Sequence, residues 1–268
     1  MVERRSIFTK FIFPLFVALA YLFVYLPIAF LVIFSFNASD MPARFTGFSL
    51  KWYKALLHSP QILTALKASL IIAAATSILS VILGACLVIA SKWWRPRSVL
   101  SLFYPNLVLP DIVIALGLML MFTFMKVPLG YVSIIVGHTL LSLGFVVPII
   151  HSRFKEIDPV LTEASLDLGA NYSQTFKEVI IPLMTPSLLT SAFLSFILSL
   201  DDFLICFFCS GPTVETLPLY IYSRIRVAVD PSLNALTTCM LVITSFLVLL
   251  VAAGKIANQM NVRKKCPK

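Results

Sequence analysis

Long apolar runs alternate along the chain with short polar stretches, and the basic positions gather at the ends of the runs. A helix crossing a bilayer needs about 20 mostly apolar residues. Six segments reach that length: Phe11–Phe36, Leu63–Ala90, Val99–Phe124, Leu129–Ile150, Pro186–Phe208 and Ala235–Ala257. A helix pairs its own backbone groups, which lipid demands. The pattern predicts an all-α membrane protein with six transmembrane helices, organised as a single transmembrane domain over residues 1–268.

The first run has a feature of a leader. Arg4, Arg5 and Lys10 precede Ala18-Leu19-Ala20, which mimics a signal peptidase site. The apolar run continues unbroken to Phe36, so the segment reads as an uncleaved first span.

Composition narrows the class. Of 268 residues, 59% are hydrophobic and 12% charged, against about a quarter charged in soluble domains. No stretch is polar enough to form a soluble domain. The net charge of +9 does not point to nucleic acid, because the basic residues sit at the ends of apolar runs. Lys and Arg flanking spans prefer the cytoplasmic side. With the N-terminus inside, Arg4, Arg5, Lys10, Lys92, Arg95, Arg97, Arg153, Lys155, Lys177, Lys255, Arg263, Lys264, Lys265 and Lys268 are cytoplasmic. Arg44, Lys51, Lys54, Lys126, Arg224 and Arg226 are external, and Lys67 lies near a span end. Both termini are therefore expected inside. Cys206 and Cys209 have C-x-x-C spacing, a pattern used in redox and metal chemistry. Within an apolar run, soft packing is the plainer reading.

Three connections are long. Residues 37–62 are external, with Ser49 placed to cap a short helix and Trp52 and Tyr53 suited to the headgroup layer. Residues 209–234 are external and broken by Gly211-Pro212 and Leu217-Pro218. Residues 152–185 are cytoplasmic and carry the sharpest local signal. Asp158-Pro159 reads as a capping carboxylate followed by proline at the first helical position. Gly169 reads as the helix end. Ser173 is placed to cap a second short helix that Pro182 stops or kinks. Leu161, Ala164, Ser165 and Leu168 share one face of the first helix. About ten residues make a marginal helix alone, so that face needs either the ends of its own spans or a partner's groove.

Glu163-Ala164-Ser165, three residues, Gly169, nine residues and Val179-Ile180-Ile181-Pro182 resemble the E-A-A loop of ABC importer permeases. The family pattern is E-A-A, three residues, G, nine residues, I, one residue and L-P. This chain departs at Ser165, Val179 and Ile181, each a mild change in size. The resemblance implies that the loop is a coupling helix docking into a cleft of an ATPase subunit, with Glu163, Ala164, Ser165, Gly169 and Pro182 in that role. The chain has no G-x-x-x-x-G-K-[ST] loop to cradle phosphates. ATP-Mg is accordingly expected on a separate subunit, with no cofactor on this chain and no enzymatic activity.

Intramembrane charges usually face an interior or a water-filled cavity. Asp111 follows Pro110 in the third expected span, and Asp201 and Asp202 lie in the fifth. Sixteen residues separate Pro186 from Asp202, about 24 Å of helix, which puts the pair in the outer part of the membrane. Ser187, Ser191, Ser195 and Ser199 recur every four residues below it. Such a row is either a close helix contact through small residues or a pathway wall. Asp202 continues it better than Asp201, so Asp202 is expected to face the path, with Asp201 bonded to a neighbouring helix or facing the outer vestibule. Glu215, Tyr220 and Tyr222 in the outer loop could add charge and cation–π contacts, although the interfacial belt also accounts for the tyrosines.

Phe34-Ser35-Phe36-Asn37 with Phe48-Ser49-Leu50-Lys51-Trp52-Tyr53, Leu109-Pro110-Asp111-Ile112-Val113, Ser199-Leu200-Asp201-Asp202-Phe203, Leu217 to Ser223 and Asp230-Pro231 to Leu236 are similar to spermidine/putrescine permeases, the second permease subunit most of all. Related permeases for iron, thiamine or phosphonate share parts of these patterns. The resemblance implies a type I ABC importer permease in a bacterial inner membrane. It would pair with a homologous permease subunit, two ATPase subunits and an extracytoplasmic solute-binding protein to carry a polyamine. Two other classes are weighed beside it. A lone ion-coupled transporter needs its own coupling-ion site, and a membrane scaffold needs no charged seam.

Overall fold

The computed structural model describes residues 13–40, 44–93, 103–227 and 231–265. Arg4, Arg5, Lys10, Arg95, Arg97, Lys268 and Asp230, the first residues of the first expected span and residues 99–102 of the third lie outside the described residues. The described chain is helical: α1 (Phe13–Ser35), α2 (Lys51–Leu57), α3 (Pro60–Trp93), α4 (Asp111–Phe124), α5 (Tyr131–Lys155), α6 (Pro159–Asp167), α7 (Tyr172–Asp201), α8 (Leu204–Cys209), α9 (Leu217–Val227) and α10 (Pro231–Lys265). Five of these are long and apolar enough to cross a membrane, and α4 is a shorter apolar helix. They fall on the six expected spans.

Two spans differ from their expected form. The third is not one helix. Its described part holds a 3-10 turn, Tyr104–Leu107, and α4 begins only at Asp111. Pro105 and Pro110 supply no N–H to a helix ladder, and Pro110 is extended at φ −60°, ψ 134°. Asp111 therefore opens a helix instead of sitting inside one. The fifth span breaks at Asp202, which is extended at φ −70°, ψ 121°, and resumes as α8. At its other end it starts earlier than expected. Pro182 does not stop it, because a π-helical turn over Phe176–Ile180 widens the backbone where the proline ring would crowd the preceding turn.

The described residues form two compact units, those up to 60 with those from 223 to 245, and those from 61 to 222 with those after 245. In the first, Asn37 organises the link after α1. Its side chain accepts from the Ser39 and Thr46 N–H groups, both at 3.1 Å, and donates to the Arg44 carbonyl at 2.8 Å. Its carbonyl accepts from Trp52 Nε1 at 2.9 Å, and Phe36 stacks on Phe48. Ser49 Oγ accepts from the Lys51 N–H at the start of α2. The outward side chains of α1 include Phe16, Tyr21, Phe23 and Tyr25.

In the second unit α5 is central, with twelve buried residues. Towards its start, Ile134 and Leu141 join Ala68, Ile72, Ala115, Leu118, Phe122, Ile205, Cys206, Cys209 and Val214 in one core. Towards its end, Leu143, Val146, Val147 and Ile150 pack with Val88 and Met184. Ser77 Oγ donates to the Ala192 carbonyl at 2.7 Å and Ser195 Oγ to Ser80 Oγ at 3.2 Å, which ties α3 to α7. After α8 the chain turns at Gly211, with φ +60°. A Cβ there would lie 2.8 Å from the Leu129 carbonyl oxygen, so only glycine fits both the left-handed backbone and the close approach.

Candidate functional site

Two places collect the residues that the sequence singled out. The first is the loop between α5 and α7. Asp158 accepts from the Val160 N–H at 3.0 Å and Pro159 follows it. At the other end the Ala170 N–H bonds the Ser165 carbonyl and the Gly169 N–H bonds the Leu166 carbonyl, at 3.2 and 2.9 Å. This crossed pair is a Schellman closure. It requires the left-handed φ of +89° found at Gly169. The second loop helix is not capped by Ser173. Asn171 and Gln174 exchange side-chain-to-backbone bonds of 2.9 Å each, so a capping box starts the helix one residue before Ser173 at Tyr172.

No residue of α6 is buried. Leu161 is 45% exposed and Leu168 89%, and Glu163 and Ala164 are exposed beside them. Ser165 departs from the expected shared face: it turns inward, and its hydroxyl bonds Thr175 Oγ1 at 2.9 Å. That bond anchors α6 to the start of α7. Pro182 lies in the first turn after the π-helical segment and is exposed. Thr162, Phe154, Tyr172, Thr175, Phe176 and Ile180 line a cavity behind α6.

The second place is the break in the fifth span. α7 ends at Asp201, and the Asp202 carboxylate accepts from the Ile205 N–H at 2.8 Å, which starts α8. The Asp202 side chain is 8% exposed and lies 3.5 Å from His138 Nε2, itself 1% exposed. The other ring nitrogen of His138 is 2.6 Å from Ser199 Oγ. Asp201 is exposed, in keeping with its expected vestibule alternative, and the Asp202 side chain, expected on the path, is turned towards His138. Ser187, Ser191, Ser195 and Ser199 are buried along α7, where Ser195 meets α3 and Ser199 meets α5.

Asp111 is exposed at the first turn of α4. Just before it, Asn106 Nδ2 donates to the Leu140 carbonyl at 2.9 Å, which fixes this second break against the middle of α5. Glu215 is exposed and Tyr220 is buried. Tyr222 packs on Phe203 and Phe207, with ring centroids at 4.6 and 5.9 Å. His138 escaped the sequence reading, which searched the spans for carboxylates alone. Its signal was present: it lies seven residues into α5, about 10 Å of rise, at a depth comparable to that of Asp202.

Residues 78–265 match the family of binding-protein-dependent transport system inner membrane components. The chain belongs to that family. Over 246 residues it is 35% identical to the spermidine/putrescine transport system permease protein PotC of Escherichia coli (strain K12), covering 91% of this chain and 92% of PotC. It is 34% identical to the putrescine transport system permease protein PotI of the same strain, covering 83% of each. The PotC of Haemophilus influenzae is 34% identical, with 88% of this chain and 93% of that protein covered. A bacterial ABC transporter involved in the import of the acidic polysaccharide alginate has a chain that superposes with a TM-score of 0.66 over 98% of both chains at 15% identity. The MetNI methionine ABC transporter matches with a TM-score of 0.55 and 18% identity over 78% of this chain. Those two likenesses show the fold, that of an ABC importer permease. The family member described here is an inner-membrane permease subunit, a transport component and not an enzyme.

Proposed function

We propose that this permease carries polyamines inward, and that the exposed face of α6 docks on an ATPase subunit that holds ATP-Mg. The observation that carries the docking is the outward set Leu161, Ala164 and Leu168 on a helix with no buried residue. A helix of nine residues is too short to persist in water on propensity alone, so an unpartnered apolar face marks it as half of a contact. A homologous permease subunit, a second ATPase and an extracytoplasmic binding protein complete the assembly. ATP-driven closure of the ATPases would move α6. Through Ser165–Thr175 and the π-helical turn, that motion would reach α7.

The polyamine assignment rests on the names of PotC and PotI and on where the acidic groups lie. Irregular backbone at membrane depth is tolerated where it is buried in protein or lines a water-filled route. Both breaks here carry acidic groups, Asp111 at one and Asp201 at the other. Exposed carboxylates at such breaks attract a polycation, and the attraction strengthens where water is scarce. Asp111, Asp201 and Glu215 are the proposed path groups, with Tyr222 beside them. Asp202, Ser195, Ser199 and Tyr220 shape the break from behind.

The test is reconstitution of the chain with its partner permease, ATPases and binding protein in liposomes. ATP-dependent uptake of labelled spermidine or putrescine is expected, and Asp201→Asn should lower it several-fold. ATP-driven uptake of another solute with none of polyamine would contradict the substrate. Uptake without ATPases would contradict the coupling.

A further inference from the structure

We propose that His138, Asp202 and Cys206 form a site for one zinc-class divalent ion, which fastens the break between α7 and α8 to α5. The proposal is independent of what the permease carries.

The argument starts from an imidazole nitrogen with no good partner. His138 Nε2 is buried, and its two polar neighbours are Asp202 Oδ1 at 3.5 Å and Cys206 Sγ at 3.7 Å. The first is longer than an ordinary N–H···O bond of about 2.7–3.2 Å, and thiols bond weakly. Yet both separations are close to the edges of a tetrahedron around zinc. Bonds of about 2.0–2.1 Å to nitrogen and oxygen and about 2.3 Å to sulfur place the ligand atoms roughly 3.3–3.6 Å apart. The three ligand atoms all lie within 4.8 Å of one another, so an ion would draw in only the third edge.

The surroundings fit as well. A metal-bound histidine usually donates its other N–H to a fixed acceptor, and His138 Nδ1 has Ser199 Oγ at 2.6 Å. Thiolate and imidazole together favour zinc over magnesium or calcium. On binding, Cys206 loses its thiol proton to solvent. The thiolate, the Asp202 carboxylate and the dication then sum to zero charge, the form a membrane interior tolerates best. The Thr216 hydroxyl is buried beside Cys206. Cys209, the other half of the C-x-x-C pair, is not among the three clustered ligands.

The experiment uses the full chain with its partner permease in lipid nanodiscs, stripped with chelator and titrated with zinc, with cobalt as the spectroscopic probe. One ion per chain is expected, and cobalt should show a thiolate charge-transfer band with tetrahedral visible bands. Cys206→Ser should remove that band and weaken zinc binding at least about tenfold, while Cys209→Ser changes neither. Ser199→Ala should keep the band and weaken binding about 10- to 100-fold. Cys206→His should restore zinc binding without the thiolate band, which separates a lost ligand from a lost fold. Absence of stoichiometric zinc binding by the parent chain, or a thiolate band that survives Cys206→Ser, would overturn the site.

Discussion

The loop helix α6 and the break between α7 and α8 solve opposite problems. α6 completes its backbone by itself: Asp158 caps one end and the Gly169 closure the other. Its outer side chains, Leu161 and Ala164 with Leu168 at the end, are left exposed. The break cannot complete itself. Its carboxylate, imidazole and hydroxyl come from Asp202 between α7 and α8, His138 of α5 and Ser199 of α7, and each is buried against the others. The first region is finished locally and open outward. The second is finished only by tertiary contact and is closed. A transport subunit needs both, a handle that another protein can grip and a discontinuity that does not fall apart when the handle moves.

The contrast predicts different failures. Asp202→Ala should act on the fold: it leaves the Ile205 N–H without its acceptor and removes the carboxylate beside His138, at a cost of about 1–3 kcal/mol. The expected result is a clearly lower unfolding temperature in detergent together with lost uptake. Gly169→Val forces a β-branched residue into a left-handed backbone, costing about 1–2 kcal/mol, although a Cβ would meet nothing within 4 Å. Uptake should fall about tenfold while the protein inserts and keeps the core melting behaviour of the parent. Leu168→Asp should leave stability unchanged and weaken ATPase association by more than about 1 kcal/mol, seen as a lower ATPase-to-permease ratio on co-purification. Ser165→Ala restores the residue of the E-A-A pattern and removes one hydroxyl bond. Its cost should be the smallest, about 0.5–1.5 kcal/mol, read as faster hydrogen exchange at the start of α7 with uptake near normal.

What the sequence disclosed divides along the same line. Apolar run length set the spans, and the Asp158-Pro159 start and Gly169 stop set α6, because each signal lies within a few residues of the structure it specifies. The second loop helix was misread by one cap. Asn171 and Ser173 are both capping residues, and only the reciprocal Gln174 bond selects Asn171. The third and fifth spans looked continuous because apolarity does not register backbone breaks. Their prolines and aspartates were visible, but their effect depends on contacts such as Asn106 with Leu140. The orientation of Asp201 and Asp202 was illegible for the same reason. The choice is made by His138, 64 residues away from Asp202 in the chain.

The most direct measurement is photo-cross-linking from a reactive residue placed at Leu168 in the assembled importer. An adduct between α6 and the ATPase subunit, enriched when ATP is bound, is the predicted result. Adducts confined to the helices of this chain would contradict the docking that the account rests on.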